Sequence, residues 1–172
     1  MVGEEAVPPL PHVDRDVTPR RALEEAVLEP LRRPPCVVSF SGGRDSSAVL
    51  AVATLVARRE GLPLPVPVSV RFPDPSDEVE RRYQDKVIEL LGIEERQVVH
   101  AGPELELLGE EATALLCRHG PLHPRHRHLL MPALRAAAGG SMLTGFDGNG
   151  TFGRWRFRRA GDVLARRVKP AR

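Results

Sequence analysis

Ser41-Gly42-Gly43-Arg44-Asp45-Ser46-Ser47 gathers two glycines, three hydroxyls and a carboxylate into seven residues, a set that suits a phosphate. Gly42 and Gly43 lack a Cβ, so backbone amides can turn onto an oxyanion. Ser41, Ser46 and Ser47 add hydroxyl donors, and Ser46 or Ser47 is placed to cap a following helix. Asp45 would repel a phosphate unless a cation such as Mg²⁺ lies between them. The Gly-Lys-Ser/Thr ending of the ATPase and GTPase phosphate loop is absent.

The flanking segments give this loop its place. Cys36-Val37-Val38-Ser39-Phe40 is short, apolar and β-branched, which predicts a buried parallel strand. Residues 48–59 carry Val49, Val52, Ala53 and Val56 at helical spacing. The loop therefore joins a strand's C-terminal end to a helix N-terminus, where free N–H groups and the helix dipole favour anions.

An apolar fraction of 41% in 172 residues suffices for one core without staples. Cys36 and Cys117 lie far apart and no Cys-x-x-Cys pair occurs, so a disulfide is not expected and a reducing cytoplasm fits. No signal peptide or membrane-spanning apolar run is read, and a membrane partner is not expected. The net charge of +2 hides an asymmetry: residues 154–172 hold eight Lys/Arg against one Asp, leaving the rest acidic.

Three segments follow from composition: a Pro-rich, acidic, loose arm over 1–17, a nucleotide-binding domain over 18–153 and a basic tail over 154–172. Thr18-Pro19 caps a helix with Leu23, Ala26, Val27 and Leu31 inward, its last turn disturbed by Pro30. After Gly61 a second strand covers 66–72, and Pro73-Asp74-Pro75 makes the turn. Asp77 and Glu80 suit a capping box for a helix reaching Gly92, with Val79, Tyr83, Val87, Leu90 and Leu91 inward. A third strand covers 97–100, helices cover 104–118 and 129–138, and a fourth strand covers 141–144. Alternating strands and helices predict an α/β fold, a parallel sheet with helices on both faces. Ligands of such sheets sit at the strands' C-terminal ends, where the Ser41 loop, Val70-Arg71 and Gly145 would converge. Gly148, Gly150 and Gly153 match a dinucleotide fingerprint by spacing, but they follow the last strand and are discounted.

The loop resembles the Ser-Gly-Gly-x-Asp-Ser pyrophosphatase loop of the ATP pyrophosphatase superfamily, whose members cleave ATP to AMP and pyrophosphate. With the rest of the chain, the resemblance narrows to the synthetase domain of asparagine synthetases and their β-lactam-forming relatives. Residues 41–47 differ from the usual Ser-Gly-Gly-Leu-Asp-Ser-Ser at Arg44. Residues 72–78 resemble the linker ending in Asp-Glu, and residues 143–155 resemble Leu-Ser-Gly-x-Gly-x-Asp-Glu-x-Phe-Gly-Gly-Tyr. The resemblance covers about residues 23–155 and implies an adenine nucleotide alpha hydrolase-like (Rossmann-like) fold.

It also implies roles. Phe40, Ser41, Gly42, Gly43, Arg44, Asp45, Ser46 and Ser47 would surround ATP, with Asp45 on Mg²⁺. Val70, Thr144 and Gly145 would border the adenosine, Val70 and Gly145 through backbone. Phe146 falls where the family keeps a catalytic Glu or Tyr, Asn149 replaces a metal-binding Asp, and Gly150 replaces the Glu after it. Asp147, shifted by two, is the nearby carboxylate left for catalysis, and Asn149 the second candidate metal ligand. The helical extension carrying a pyrophosphate Lys is not matched. Val2 stands where the family's glutaminase domain would begin with a nucleophilic Cys, so ammonia release from glutamine is not expected.

His119, His123, His126 and His128 match no standard zinc spacing, and the segment, with Pro121 and Pro124, is expected to be a solvated loop. Cys117, on an apolar helix face, is expected in the core. Arg154-Trp155-Arg156-Phe157-Arg158-Arg159 mixes cations with aromatics as RNA-binding segments can, though a solvated basic helix face is the simpler reading. Three functions remain open. One is an enzyme that activates a small carboxylate or peptide with ATP for amide formation. Another is a non-catalytic nucleotide-binding subunit whose protein partner supplies the amine donor or missing residues. The third is a tRNA-modifying ATP pyrophosphatase, with nucleic acid the least expected partner.

Overall fold

The computed structural model describes residues 17–73, 77–122, 126–146 and 148. The arm over 1–16, His123, Asp147, Asn149, Gly150 and the basic tail lie outside the described residues.

The chain opens on α1 (Pro19–Leu31), whose N-cap Thr18 accepts the Arg21 N–H at 3.3 Å and whose first turn begins with proline. It continues through β1 (Cys36–Ser39), α2 (Arg44–Glu60), β2 (Val66–Arg71), α3 (Asp77–Leu91) and β3 (Gln97–His100). A 3₁₀ turn at Pro103–Leu105 precedes α4 (Glu110–His119), and another at Arg127–Leu130 runs into α5 (Met131–Ala136) and β4 (Ser141–Thr144).

The four described strands pair in parallel in the order β3-β2-β1-β4, with Val37 opposite both Val66 and Met142. Side-chain alternation divides the core. Cys36, Val38 and Phe40 face α1, α2 and α3, meeting Val27, Leu31, Leu50, Val56 and Ile88. Val37 and Val68 face Ala133 and Ala137 at α5. Helices thus cover both faces, as expected, and the fold is α/β of the Rossmann-like adenine nucleotide alpha hydrolase type. Each fully buried aliphatic side chain here contributes about 1.5–3 kcal/mol.

Several expectations are corrected. Helix α2 begins at Arg44, four residues before the expected start at Ala48, because the extended Gly43 serves as N-cap and Asp45 suits the positive end of the helix dipole. The segment read as one helix from Glu104 is split by Gly109, which caps α4 and packs against the Pro103 and Glu104 carbonyls. On α3, Val79, Tyr83 and Leu90 are exposed, at 61%, 60% and 75%. The buried face instead runs through Gln84 and Ile88, with Val87 and Leu91 partly buried. Burial of Ile88 with Val87 and Leu91 sets that rotation; beside them Asp85 accepts from Arg96 at 2.5 Å and Arg71 at 3.3 Å, and the Arg96 bond holds its carboxyl below the usual range. The histidine stretch is not wholly solvated: His128 is buried, with Nε2 3.1 Å from the Leu105 carbonyl.

Cys117 is exposed, because α4 buries none of its residues; Cys36 is buried and both thiols are free. Burial pushes the Cys36 thiol up, against a smaller opposing effect from Ser141. A maleimide or disulfide reagent at neutral pH should therefore modify one thiol quickly, and Cys117→Ser should remove that fast phase. Two equally fast thiols in the native protein would contradict this burial.

Candidate nucleotide site

The connection out of β1 leads to β2 and β3 on one side, while β4 lies on the other, so the sheet's topological switch point falls between β1 and β4. Open α/β sheets bind ligands outside the strand ends at that point. A cavity of about 540 Å³ lies there. Ser39 and Ser41 line it from the end of β1, and Gly43, Arg44, Asp45 and Ser46 from the start of α2. Thr144, Gly145 and Phe146 close it from the end of β4, with Leu130 completing the wall.

The loop's conformation follows from a few contacts. The Phe40 N–H still donates to the Val68 carbonyl at 2.8 Å, so the chain leaves the sheet only at Ser41. Gly42 turns it with φ +83°, a left-handed conformation that favours glycine, and a Cβ there would lie 2.7 Å from Gln84 Cγ. Gly43 then caps α2 without a side-chain hydrogen bond. The amides of a helix's first turn have no acceptor inside the helix, and this turn opens on the cavity.

Ser46 and Ser47 are not the cap that the sequence suggests. They are third and fourth in α2 and tie the loop together instead. Ser46 Oγ donates to the Gly43 carbonyl at 3.1 Å and lies 3.1 Å from Ser41 Oγ. Ser47 Oγ donates to the Gly42 carbonyl at 3.4 Å, and Ser41 Oγ accepts the Gly43 N–H at 3.3 Å. These bonds hold the loop against the helix before any ligand arrives.

Asp45 lies in the first helical turn, not in an exposed loop, with 28% of its side chain accessible and Arg44 Nε 3.7 Å away. Among the described residues lining the cavity it is the one carboxylate. Gly148 backs onto it, since a Cβ there would come within 2.6 Å of Asp45 Cγ. Gly145 is equally constrained: a Cβ would collide with the Ser46 backbone nitrogen, so only glycine lets the end of β4 reach α2 this closely.

The structure brings Ser41, Gly43, Arg44, Asp45, Ser46, Thr144 and Gly145 to one cavity wall, with Gly42 and Ser47 directly behind. Phe40 is a core residue, 2% exposed, and Val70 sits in β2 beside Val99, away from the lining. Asp147 and Asn149 fall outside the described residues. Phe146 stands at the rim, 48% exposed, its ring 5.3 Å from Arg127 Cζ and 6.0 Å from the His126 ring. Arg44, Asp45, Thr144, Gly145 and Phe146 also border a second, more apolar cavity lined by α1 and α2.

Three contributors escaped the sequence reading. Ser39 and Leu130 line the cavity, and Gln84 supports the loop from behind. Ser39 could have been found, because a polar residue ending a buried strand points to the ligand side; Leu130 and Gln84 carry no such local signal.

Family comparison matches residues 18–169 to asparagine synthase. The chain belongs to the asparagine synthase family. It is accordingly an ATP pyrophosphatase-type synthetase domain, and the matched range takes in the loop at Ser41 and the sheet's switch point. A search of curated proteins finds no match. No described helix is long and apolar enough to cross a membrane.

Proposed function

We propose that this asparagine synthase-family domain binds ATP with Mg²⁺ and activates a small carboxylate or peptide for amide formation. The observation that carries this reading is the cavity between β1 and β4, where the Ser-Gly-Gly loop and the α2 N-terminus meet Gly145. The amides of the first turn of α2 and the Ser41 hydroxyl supply donors for the phosphates, while the Ser46 and Ser47 hydroxyls brace the loop through the Gly43 and Gly42 carbonyls, and Arg44 offsets charge on departing pyrophosphate. Thr144 and Gly145 border the nucleoside, while Phe40 and Val70 serve through the backbone that carries the loop and the β2 end. The donor set fits Mg²⁺, because one carboxylate, phosphate oxygens and water are its usual partners at nucleotide sites. Asp45 would hold the ion, with Asn149 a second oxygen donor, and the ion screens the repulsion between Asp45 and the phosphates.

In the reaction, a carboxylate oxygen attacks the α-phosphorus and the bond to the bridging oxygen of pyrophosphate breaks. An amine nitrogen then attacks the acyl carbon, AMP leaves, and the amine gives up a proton. The body over 18–153 would carry this chemistry, with the 154–172 tail appended. Pyrophosphate-for-ATP exchange with candidate acids added singly tests the reading. Exchange should require one acid, and AMP with pyrophosphate should be the products; ADP with phosphate would overturn it.

Phe146 favours a second reading. Its ring can neither accept nor donate a proton at the cavity rim, so the chain can bind nucleotide yet depend on a partner for turnover. In that case ATP binding persists while amide formation stays absent for every acid and amine until the partner is added.

A further inference from the structure

Gln84 is 2% exposed, in the centre of the α3 face that packs beneath the nucleotide loop. Its Nε2 donates to the Ser41 carbonyl at 3.1 Å, while its Oε1 has no hydrogen-bond partner. A buried glutamine with half its amide unsatisfied is costly, and a leucine of similar size would avoid that cost. Packing alone therefore does not account for it.

What Gln84 touches does. The Ser41–Gly42 peptide is the hinge of the loop, and its trans geometry points the Gly42 N–H opposite to the Ser41 carbonyl. With the carbonyl drawn onto α3, the N–H is directed away from α3. Glycine tolerates either sign of φ, so at Gly42 the flipped peptide is open to the backbone at low cost. The flip would swing the Ser41 carbonyl off α3 and displace Ser41 and Gly43, the residues on either side that line the cavity.

We propose that Gln84 is a positioning residue for polyphosphate binding, latching the Ser41 carbonyl to α3 so that Ser41 and Gly43 keep their places on the cavity wall. The inference rests on the ATP-binding reading above. Gln84 touches no reacting atom; it acts through the Ser41–Gly42 peptide. Ile88, buried one turn further along with Val87 and Leu91 against it, holds α3 in the rotation that aims it.

Gln84→Glu and Gln84→Leu test this by calorimetry with ATP plus Mg²⁺ and with AMP. Gln84→Glu should weaken ATP binding about 10-fold at pH 8, the worth of one good hydrogen bond, because an ionised carboxylate cannot donate to a carbonyl. Burial raises the introduced carboxyl's pKa, so mild acid should protonate it, restore a donor and recover ATP affinity. Gln84→Leu should lose a similar factor at every pH. AMP affinity should change little in either, since AMP lacks the β- and γ-phosphates. Equal ATP affinity in all three proteins, or parallel losses for ATP and AMP without recovery in acid, would overturn the proposal. If the unaltered protein binds no ATP, the functional reading fails separately. Amide hydrogen exchange in the free proteins then decides on Gln84: the Gly43 N–H, held by Ser41 Oγ, should exchange about 10-fold faster in Gln84→Leu, and unchanged exchange overturns the latch.

Discussion

Asp45→Ala should lose Mg²⁺-dependent ATP binding by roughly 100-fold or more, since even outer partners of a metal site are worth about 10- to 100-fold in metal affinity. The carboxylate sits at the second position of α2 on the cavity wall, and no other carboxylate among the described residues lines that wall. Without Mg²⁺ the sign reverses. A bare carboxylate beside the phosphates is repulsive, so the alanine variant should hold metal-free ATP as well as the unaltered protein, or better. The fold should survive, at a cost of about 0.3–1 kcal/mol for removing an acid from a helix's first turn. Asp45→Asn separates charge from shape, because the amide keeps an oxygen ligand but lacks the charge a hard cation prefers. Calorimetry with and without Mg²⁺ reads all three. Equal Mg²⁺-ATP affinity in Asp45→Ala would remove Asp45 from the metal's coordination.

The parts legible in the sequence are those set by local pattern. The run from Cys36 to Ser39 and the glycines behind it mark a strand feeding a turn, and the alternation of strands with helices marks the parallel sheet. What failed has a common cause: the deciding partner lies far away in the chain. Helix α3 carries apolar residues on more than one side, and hydrophobic spacing favoured Tyr83 and Leu90. The face that is buried carries Ile88, Val87 and Leu91 to the core beside Phe40 and Leu50, with Gln84 reaching Ser41, 43 residues earlier. A polar residue in the centre of a buried helix face is invisible to any apolar periodicity. The start of α2 erred for a different reason. Gly-Gly-Arg-Asp-Ser-Ser reads as loop by composition, yet Gly43 needs no side chain to begin a helix once serine hydroxyls brace the turn. The site's position was legible through strand ends, whereas its rim was not, because Leu130, His126 and Arg127 come from the segment with the least regular pattern.

Phe146→Glu should raise any amide formation by about 10²- to 10⁴-fold, the range of general acid–base assistance, because the attacking amine must give up a proton. The position is suitable because the Phe146 N–H is fixed by Thr144 Oγ1 at 3.1 Å and the side chain stands at the rim of the cavity. The ring now lies against Arg127 and His126, so an introduced carboxylate would stay ionised beside the guanidinium and ready to accept a proton from an attacking amine. Asn149→Asp, outside the described residues, should add the charge that the resemblance assigns to a second metal ligand and so tighten Mg²⁺-ATP binding further. Asp147 does not make these changes redundant, because one carboxylate cannot readily serve as metal ligand and base together. Exchange of pyrophosphate into ATP measures the first step, and amide formation with a supplied amine measures the second. A gain confined to the second step would place the base at amine attack; a gain in both would mean that the introduced charge also orders the nucleotide. Rapid turnover by the unaltered chain with a defined acid and amine would show that Phe146 costs the enzyme nothing, and the case for a weakened catalyst would fall.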